Sequence, residues 1–229
     1  MGNELRILGA GAVKPGLSKV VDEFRRDTGI GAAVFFAPAP AIRQRVIEGE
    51  KADVVIAPPG VLEELAEAEK CTGETVPLGR IGIGVLARNG ESWPQIATVA
   101  GFKQSLLFAE SVVYNRASTG AYLDTLFESL GIGAAVRGKS TRYPDFAAVL
   151  DHVSKGNSRE IGLGAITVII ENASRGVEFI GPLPPEIQNY TTYAAALTAG
   201  SAANQAAQQF TRYFSRPAIK SLLSAAGIQ

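Results

Sequence analysis

A chain of 229 residues is long enough for one large domain or two small ones. Its 22 basic and 22 acidic residues cancel and are scattered along the sequence, which excludes the broad basic face of a nucleic-acid or anionic-lipid binder. With 46% apolar and 19% charged residues it reads as an ordinary globular chain rather than a disordered one.

The lone Cys71, in the polar stretch "EKCTGET", rules out an internal disulfide and a cysteine zinc cluster. No apolar run is long enough to span a bilayer, so no membrane insertion is expected. The opening "MGNELRIL" lacks the features of a secretory signal. As written the chain is expected in the cytoplasm, and in the periplasm if an export signal has been cleaved from it.

From the start, strand-like and helix-like patterns alternate, the signature of an α/β protein with mainly parallel sheets flanked by helices. "LRIL" leads through the turn "GAGAVKPG" into a helix with Leu17, Val20, Val21 and Phe24 on one stripe. "GAAVFFA" is a second strand, followed by "PAIRQRVIEG", a helix with Ile42, Val46 and Ile47 on one side. "ADVVIA" and "PPGVLEELAEAEK" complete a third strand–helix unit, its prolines suited to a first turn whose N–H groups lack intrahelical partners. The texture changes at "VPLGRIGIGVLARNG", a long strand. A helix through Phe102, Leu106 and Leu107 follows, and then the strand "SVVYN". Ser118 is placed to cap a helix carrying Tyr122, Leu123, Leu126, Phe127 and Leu130. "YPDFAAVLDHVSKG" reads as a helix with Phe146, Val149, Leu150 and Val153 inward. "EIGLGAITVII" reads as a strand entering a short helix, and "VEFIGPLP" as a strand stopped by prolines. "YTTYAAALTAG" returns as a strand before two closing helices.

The turn "GAGAVKPG" invites comparison with a dinucleotide-binding loop, but the position of the third glycine is Lys14, and no acidic residue ends the second strand. What remains is a place where a close-approaching backbone and a helix start can meet a small anion or polar group. "FFAPAPAIRQR" and "YNRASTGAYL" repeat that arrangement. Such turns are also simply how strands connect to helices; their recurrence in both halves is what suggests a cleft.

The stretches "LRILGAGAVKPGLSKVVDEFRRDTG", "FFAPAPAIRQRVIEGEKADVVIAPP" with Asp53 opening its last strand, "VYNRASTGAYLDTLFESLG", "REIGLGAITVIIENASRGVEFIGPLP" and "FTRYFSRPAIKSLLSAAGI" resemble, in order and spacing, the molybdate-binding proteins of ABC importers, members of the type II periplasmic binding proteins. The resemblance implies two α/β lobes with a ligand cleft between them: residues 1–80 as the first part of lobe 1, 81–189 as lobe 2, and 190–229 as the return to lobe 1. It also implies an ABC importer as partner if the chain is exported. Where that family uses serine hydroxyls and a tyrosine to hold its oxyanion, the matching positions here are Ala12, Pro38-Ala39-Pro40 and about Ala165. Methyl groups and proline rings donate no hydrogen bonds, so molybdate is not the expected ligand.

A small organic anion, mono- or dicarboxylate, is expected instead. Gly11, Ala12, Lys14, Pro38 and Ala39 would face it from one lobe. Asn115, Arg116, Ser118, Thr119, Arg142, Tyr143 and Thr167, with Asn189 and Tyr190 at the return, would face it from elsewhere. Lys14, Arg116 and Arg142 are the cations that could meet its charge, and a solvated surface role is the plainer alternative for each. Catalytic residues are not identified. His152, the one histidine, lies off the apolar stripe of its helix, and no metal, cofactor, hydrolase or NTPase motif is present. The alternative to a receptor is a metal-free enzyme on the same fold, an isomerase of a small unsaturated carboxylic acid. There Lys14 or Tyr143 would handle a proton and Arg116 would hold the carboxylate.

Overall fold

The computed structural model describes residues 4–90, 92–116, 118–156 and 159–229, with the side chain of Ser118 outside that description. The chain divides into two compact units, Met1–Ile81 with Thr191–Gln229, and Gly82–Tyr190. None of the described helices is long and apolar enough to cross a membrane.

The first unit is built on β1 (Leu5–Ala10), β2 (Ala32–Ala37), β3 (Val54–Ala57), the first part of β4 (Cys71–Arg88) and β9 (Tyr190–Thr198), in the order β2-β1-β3-β9-β4. β1 pairs in parallel with both β2 and β3, while β3 and β9 run antiparallel. The crossovers are α1 (Lys14–Thr28), α2 (Ala39–Ile47) and α3 (Pro59–Glu67). α1 ends at Gly29, whose φ of 74° is a left-handed conformation that glycine adopts without a Cβ clash. Leu17, Val20 and Phe24 of α1 are fully buried as their spacing predicts. The Phe24 ring meets Phe210 and Tyr213 edge-on at 5.0 and 5.2 Å. These two rings come from α9 (Gln205–Tyr213), which with α10 (Pro217–Ala225) closes the chain. Ile47 is a correction: it is 38% exposed, because α2 is short and its inward stripe is filled by Ile42 and Val46.

At the edge where β1, β2 and β3 begin, one carboxylate ties the sheet together. Asp53 accepts from the Arg6 N–H at 2.8 Å, the Ser201 hydroxyl at 2.7 Å and the Asn204 amide at 3.1 Å. Asn204 also caps α9, so one cluster joins the first and third strands to the closing helices.

The second unit carries β5 (Ser111–Asn115), β6 (Ser140–Tyr143), β7 (Glu160–Ala165), β8 (Val177–Pro182) and the rest of β4. β7 and β8 are antiparallel to β4, and β5 is parallel to β6 and β7. The two-residue period of β5 serves both faces of the sheet. Val112 and Tyr114 join a core with α4 (Val99–Phe108), α5 (Ser118–Ser129) and α6 (Gly133–Arg137). Val113 joins another with α7 (Phe146–Lys155) and α8 (Ile166–Glu171). Leu107, expected inward with Leu106, is 48% exposed at the last turn of α4.

β6 and α6 are not legible in the sequence. Arg142 and Tyr143, read there as leading into a helix, form the end of a strand. Pro144 disfavours helical backbone at Tyr143, and Asp145 caps α7 by accepting the Ala148 N–H at 3.0 Å. Cys71 is buried at the start of β4, and burial pushes its thiol up to about 11.

Candidate anion-binding edges

In each unit the parallel strands end together, and the residues singled out by the sequence gather at those ends. In open α/β sheets this edge is where ligands bind.

In the first unit Ala10 is in register with Ala37, and β3 ends at Ala57 beside them. Gly11 is exposed and Ala12 half-buried in the single turn before α1, and Lys14 is the exposed first residue of that helix. Exposed Pro38 and half-buried Ala39 start α2 in the same manner. The residues preceding α1, α2 and α3 are Val13, Pro38 and Pro58, and none makes a side-chain cap bond. The peptide N–H groups of those first turns, other than at the prolines, are left without a side-chain acceptor. Of the other helices, α4, α7 and α9 are capped by Thr98, Asp145 and Asn204, while α6, α8 and α10 also start without a side-chain cap.

In the second unit Asn115 is in register with Tyr143, and β7 ends at Ala165. Arg116 is exposed, and its N–H donates to the Tyr143 carbonyl at 2.8 Å, fixing the chain as it leaves β5. Half-buried Thr119 lies in the first turn of α5. Gly120 lets that turn sit directly on the strand end, since a Cβ there would come within 1.9 Å of the Asn115 carbonyl oxygen. Ala165 precedes α8 with no side-chain cap, and Thr167 is fully buried within that helix.

Two candidates are already occupied. The Arg142 guanidinium pairs with Asp124 of α5 at 3.0 Å and lies 5.4 Å from the centre of the Tyr114 ring. The Tyr114 hydroxyl donates to the same carboxylate at 2.8 Å; burial first, and that bond second, push its pKa above the ordinary tyrosine value. The Tyr143 hydroxyl lies 2.9 Å from Nδ1 of His152, whose Nε2 is 3.4 Å from the buried Glu160 at the start of β7. This chain of groups runs from the strand-end edge toward the opposite edge, so it braces α7 against the sheet. The helical wheel separates His152 from the apolar stripe but carries no sign of this pairing.

Asn189 and Tyr190 lie at the return, half-buried and exposed respectively. The residue that matters most there was not anticipated. Gln188 accepts the Ile83 N–H at 2.8 Å and donates to the Ile83 carbonyl at 2.9 Å, mimicking a strand neighbour, and it accepts the Asn189 N–H at 3.0 Å.

No group of histidine, cysteine or acidic side chains suited to a metal ion occurs among the described residues. Each edge offers peptide N–H donors, and small apolar side chains and a few cations lie among the residues there.

Comparison with known proteins agrees with this architecture. A Pseudomonas protein named aconitate isomerase is 26% identical over 226 residues, covering 95% of this chain and 85% of its own. The periplasmic molybdate-binding protein of Azotobacter vinelandii superposes with a TM-score of 0.79 at 16% identity, covering 99% of both chains. Peb3, known from Campylobacter jejuni, superposes in its L-phospholactate complex with a TM-score of 0.75 at 12% identity, covering 98% of each chain. The profile of the bacterial extracellular solute-binding proteins matches residues 5–229, and the chain is therefore a member of that family, with a fold like that of its molybdate-binding relatives.

Proposed function

We propose that this protein binds a small organic anion through its carboxylate groups at the strand-end edges described above, and that molybdate is not its ligand. The observation that carries this reading is the lack of side-chain hydroxyls at these helix starts: Ala12, Pro38, Ala39 and Ala165 occupy them and none can donate a hydrogen bond from its side chain. A desolvated tetrahedral dianion needs donors on all sides, and alanine and proline supply none from their side chains. The same small apolar groups favour a carbon skeleton, at about 25 cal/mol for each Å² removed from water. As a receptor the protein would deliver this anion to an ABC importer.

A second reading is favoured by the relative named aconitate isomerase. In it the same site holds an unsaturated carboxylic acid while its double bond is rearranged.

One pair of measurements tests both readings. A thermal-shift screen of molybdate, sulfate and a set of aliphatic and unsaturated carboxylates should show stabilisation by carboxylates and not by molybdate. Strong stabilisation by molybdate alone would refute the assignment. Either geometric isomer of aconitate, incubated with catalytic protein and followed by its vinyl proton resonance, separates receptor from isomerase: a constant spectrum supports the first, conversion the second.

A further inference from the structure

A strand at the rim of a sheet leaves half of its backbone groups unpaired, and folded proteins blunt such edges with shortness, charge, proline or a bulge. Among the described strands β2, β6 and β8 each have a single neighbour. Two of them are blunted. β6 is four residues long and carries Arg142. β8 carries Glu178, ends in Pro182 and pairs with β4 through a break in register between Val85 and Leu86.

β2 has none of these devices. Its six residues, "AAVFFA", contain no charge and no proline, and they follow β1 in unbroken register from Ala32 to Ala37. β1 takes the bonds on one side, and the alternate N–H and C=O groups that point the other way meet no described strand. Every residue of β2 is half-buried or exposed, whereas β1 is buried apart from Arg6. The two phenylalanines divide between the faces. Phe36 packs under α1, since a Cβ on Gly9 would come 3.2 Å from both its ring and the Leu17 side chain. Phe35 faces the other way and is 39% exposed, with the Arg6 guanidinium 5.1 Å from its ring centre.

We infer that β2 is an association edge whose occupant is β2 of a second copy of this chain, running antiparallel about a twofold axis. The unpaired backbone groups call for a strand as partner. The composition selects the copy: about a twofold axis a strand meets its own sequence reversed, so a central charge would face its duplicate, and β2 has no charge at all. Opposed residues must share a face of the sheet, so the axis falls on a residue rather than between two. Placed on Phe35, it sets the two exposed rings against each other as a cross-strand aromatic pair, with Ala33 of each copy opposite Ala37 of the other. Six residues a side are far fewer than the roughly 20–30 of a stable interface, so the dimer is weak and forms at high protein concentration.

Sedimentation velocity of the full chain over a wide range of concentration tests this. The wild type should shift reversibly from monomer to dimer as concentration rises. Phe35→Lys sets two ammonium groups opposite each other and removes the ring pair, and should weaken the dimer at least about tenfold. Phe35 is exposed, so an unchanged melting temperature excludes misfolding as the cause. Cysteine trapping gives an independent readout. Opposed residues of an antiparallel pair have Cα atoms about 4.5–5.5 Å apart, within disulfide reach, so mild oxidation of Phe35→Cys should give a covalent dimer. Ile47→Cys, at a residue of α2 that is just as exposed, should not, and the native Cys71 is buried. A wild type that stays monomeric at every concentration would overturn the assignment. So would a dimer that Phe35→Lys leaves unweakened, or cross-linking as efficient at position 47 as at position 35.

Discussion

The two strand-end edges solve the same problem with different materials. In the first unit Ala10, Ala37, Pro38 and Pro58 present methyls and rings, so hydrogen bonding is left to the backbone. In the second unit Asn115, Arg116, Thr119 and Tyr143 put polar side chains at the edge; Tyr143 is held by His152, and the adjoining Arg142 by Asp124. The contrast teaches that donors can come from bare helix starts only where the helix is free to sit close to the strand end, and the glycines show how each unit arranges this. Gly11 has nothing within 4 Å of where its Cβ would be, whereas Gly120 is pressed against the Asn115 carbonyl.

The largest expected effect breaks that contrast directly. Gly120→Ala drives a methyl into a backbone oxygen that cannot move without dislodging β5, and should cost about 2–3 kcal/mol, with loss of ligand binding as α5 shifts. Gly11→Ala meets open space and should be neutral, or stabilising by roughly 0.5 kcal/mol through the unfolded chain. Chemical denaturation of the two variants side by side measures the difference. Similar losses in both would mean that the two turns are built alike.

The next effect concerns the opposite edge of the first unit. Asp53→Ala removes an acceptor shared by the Arg6 N–H, Ser201 and Asn204, leaving the buried Ser201 hydroxyl and the half-buried Asn204 amide without it. Hydrogen bonds to a charged group are worth about 1.5–3 kcal/mol, and a loss of about 2 kcal/mol is expected, with ligand affinity per folded molecule unchanged. In the second unit the corresponding brace ends in Tyr143, and Tyr143→Phe should cost less, about 1 kcal/mol. Urea midpoints and calorimetric titration of both variants check the order. A Tyr143→Phe protein less stable than Asp53→Ala would reverse the assignment of where each unit is pinned.

How far the sequence reveals this molecule follows from what each feature depends on. The βα alternation is local, so Leu17, Val20 and Phe24 declare α1, and Pro40 and Pro59 mark helix starts, without any knowledge of tertiary partners. The strand-end candidates follow from the same local pattern, because a helix start must adjoin a strand end. β6 escapes because four residues are too few to show a period, and α6 because it lies in a five-residue stretch led by glycine. The engagement of Arg142 by Asp124, of Tyr143 by His152 and of Ile83 by Gln188 escapes for another reason. Each joins groups from different elements, so no spacing along the chain encodes it. A cation is visible in the sequence; whether the fold has supplied its acid is not.

The smallest effect concerns the response of the first unit to alkali. Burial holds the Cys71 thiol up to about 11 and the Tyr193 hydroxyl up to about 12, and both belong to the first unit. The unfolded chain releases the thiol proton near 9.0 while the folded chain keeps it until about 11, so above pH 9 the unfolded state binds fewer protons and stability falls as pH rises. The stabilisation is complete below pH 9 and is lost as the pH climbs through 9 toward 11. Cys71→Ala removes this contribution, and the loss of stability between pH 8 and 10.5 should shrink by on the order of 1 kcal/mol relative to the wild type. Urea unfolding at several pH values in that window measures the slope; parallel curves for the two proteins would show that the thiol ionises as easily in the folded chain as in the unfolded one.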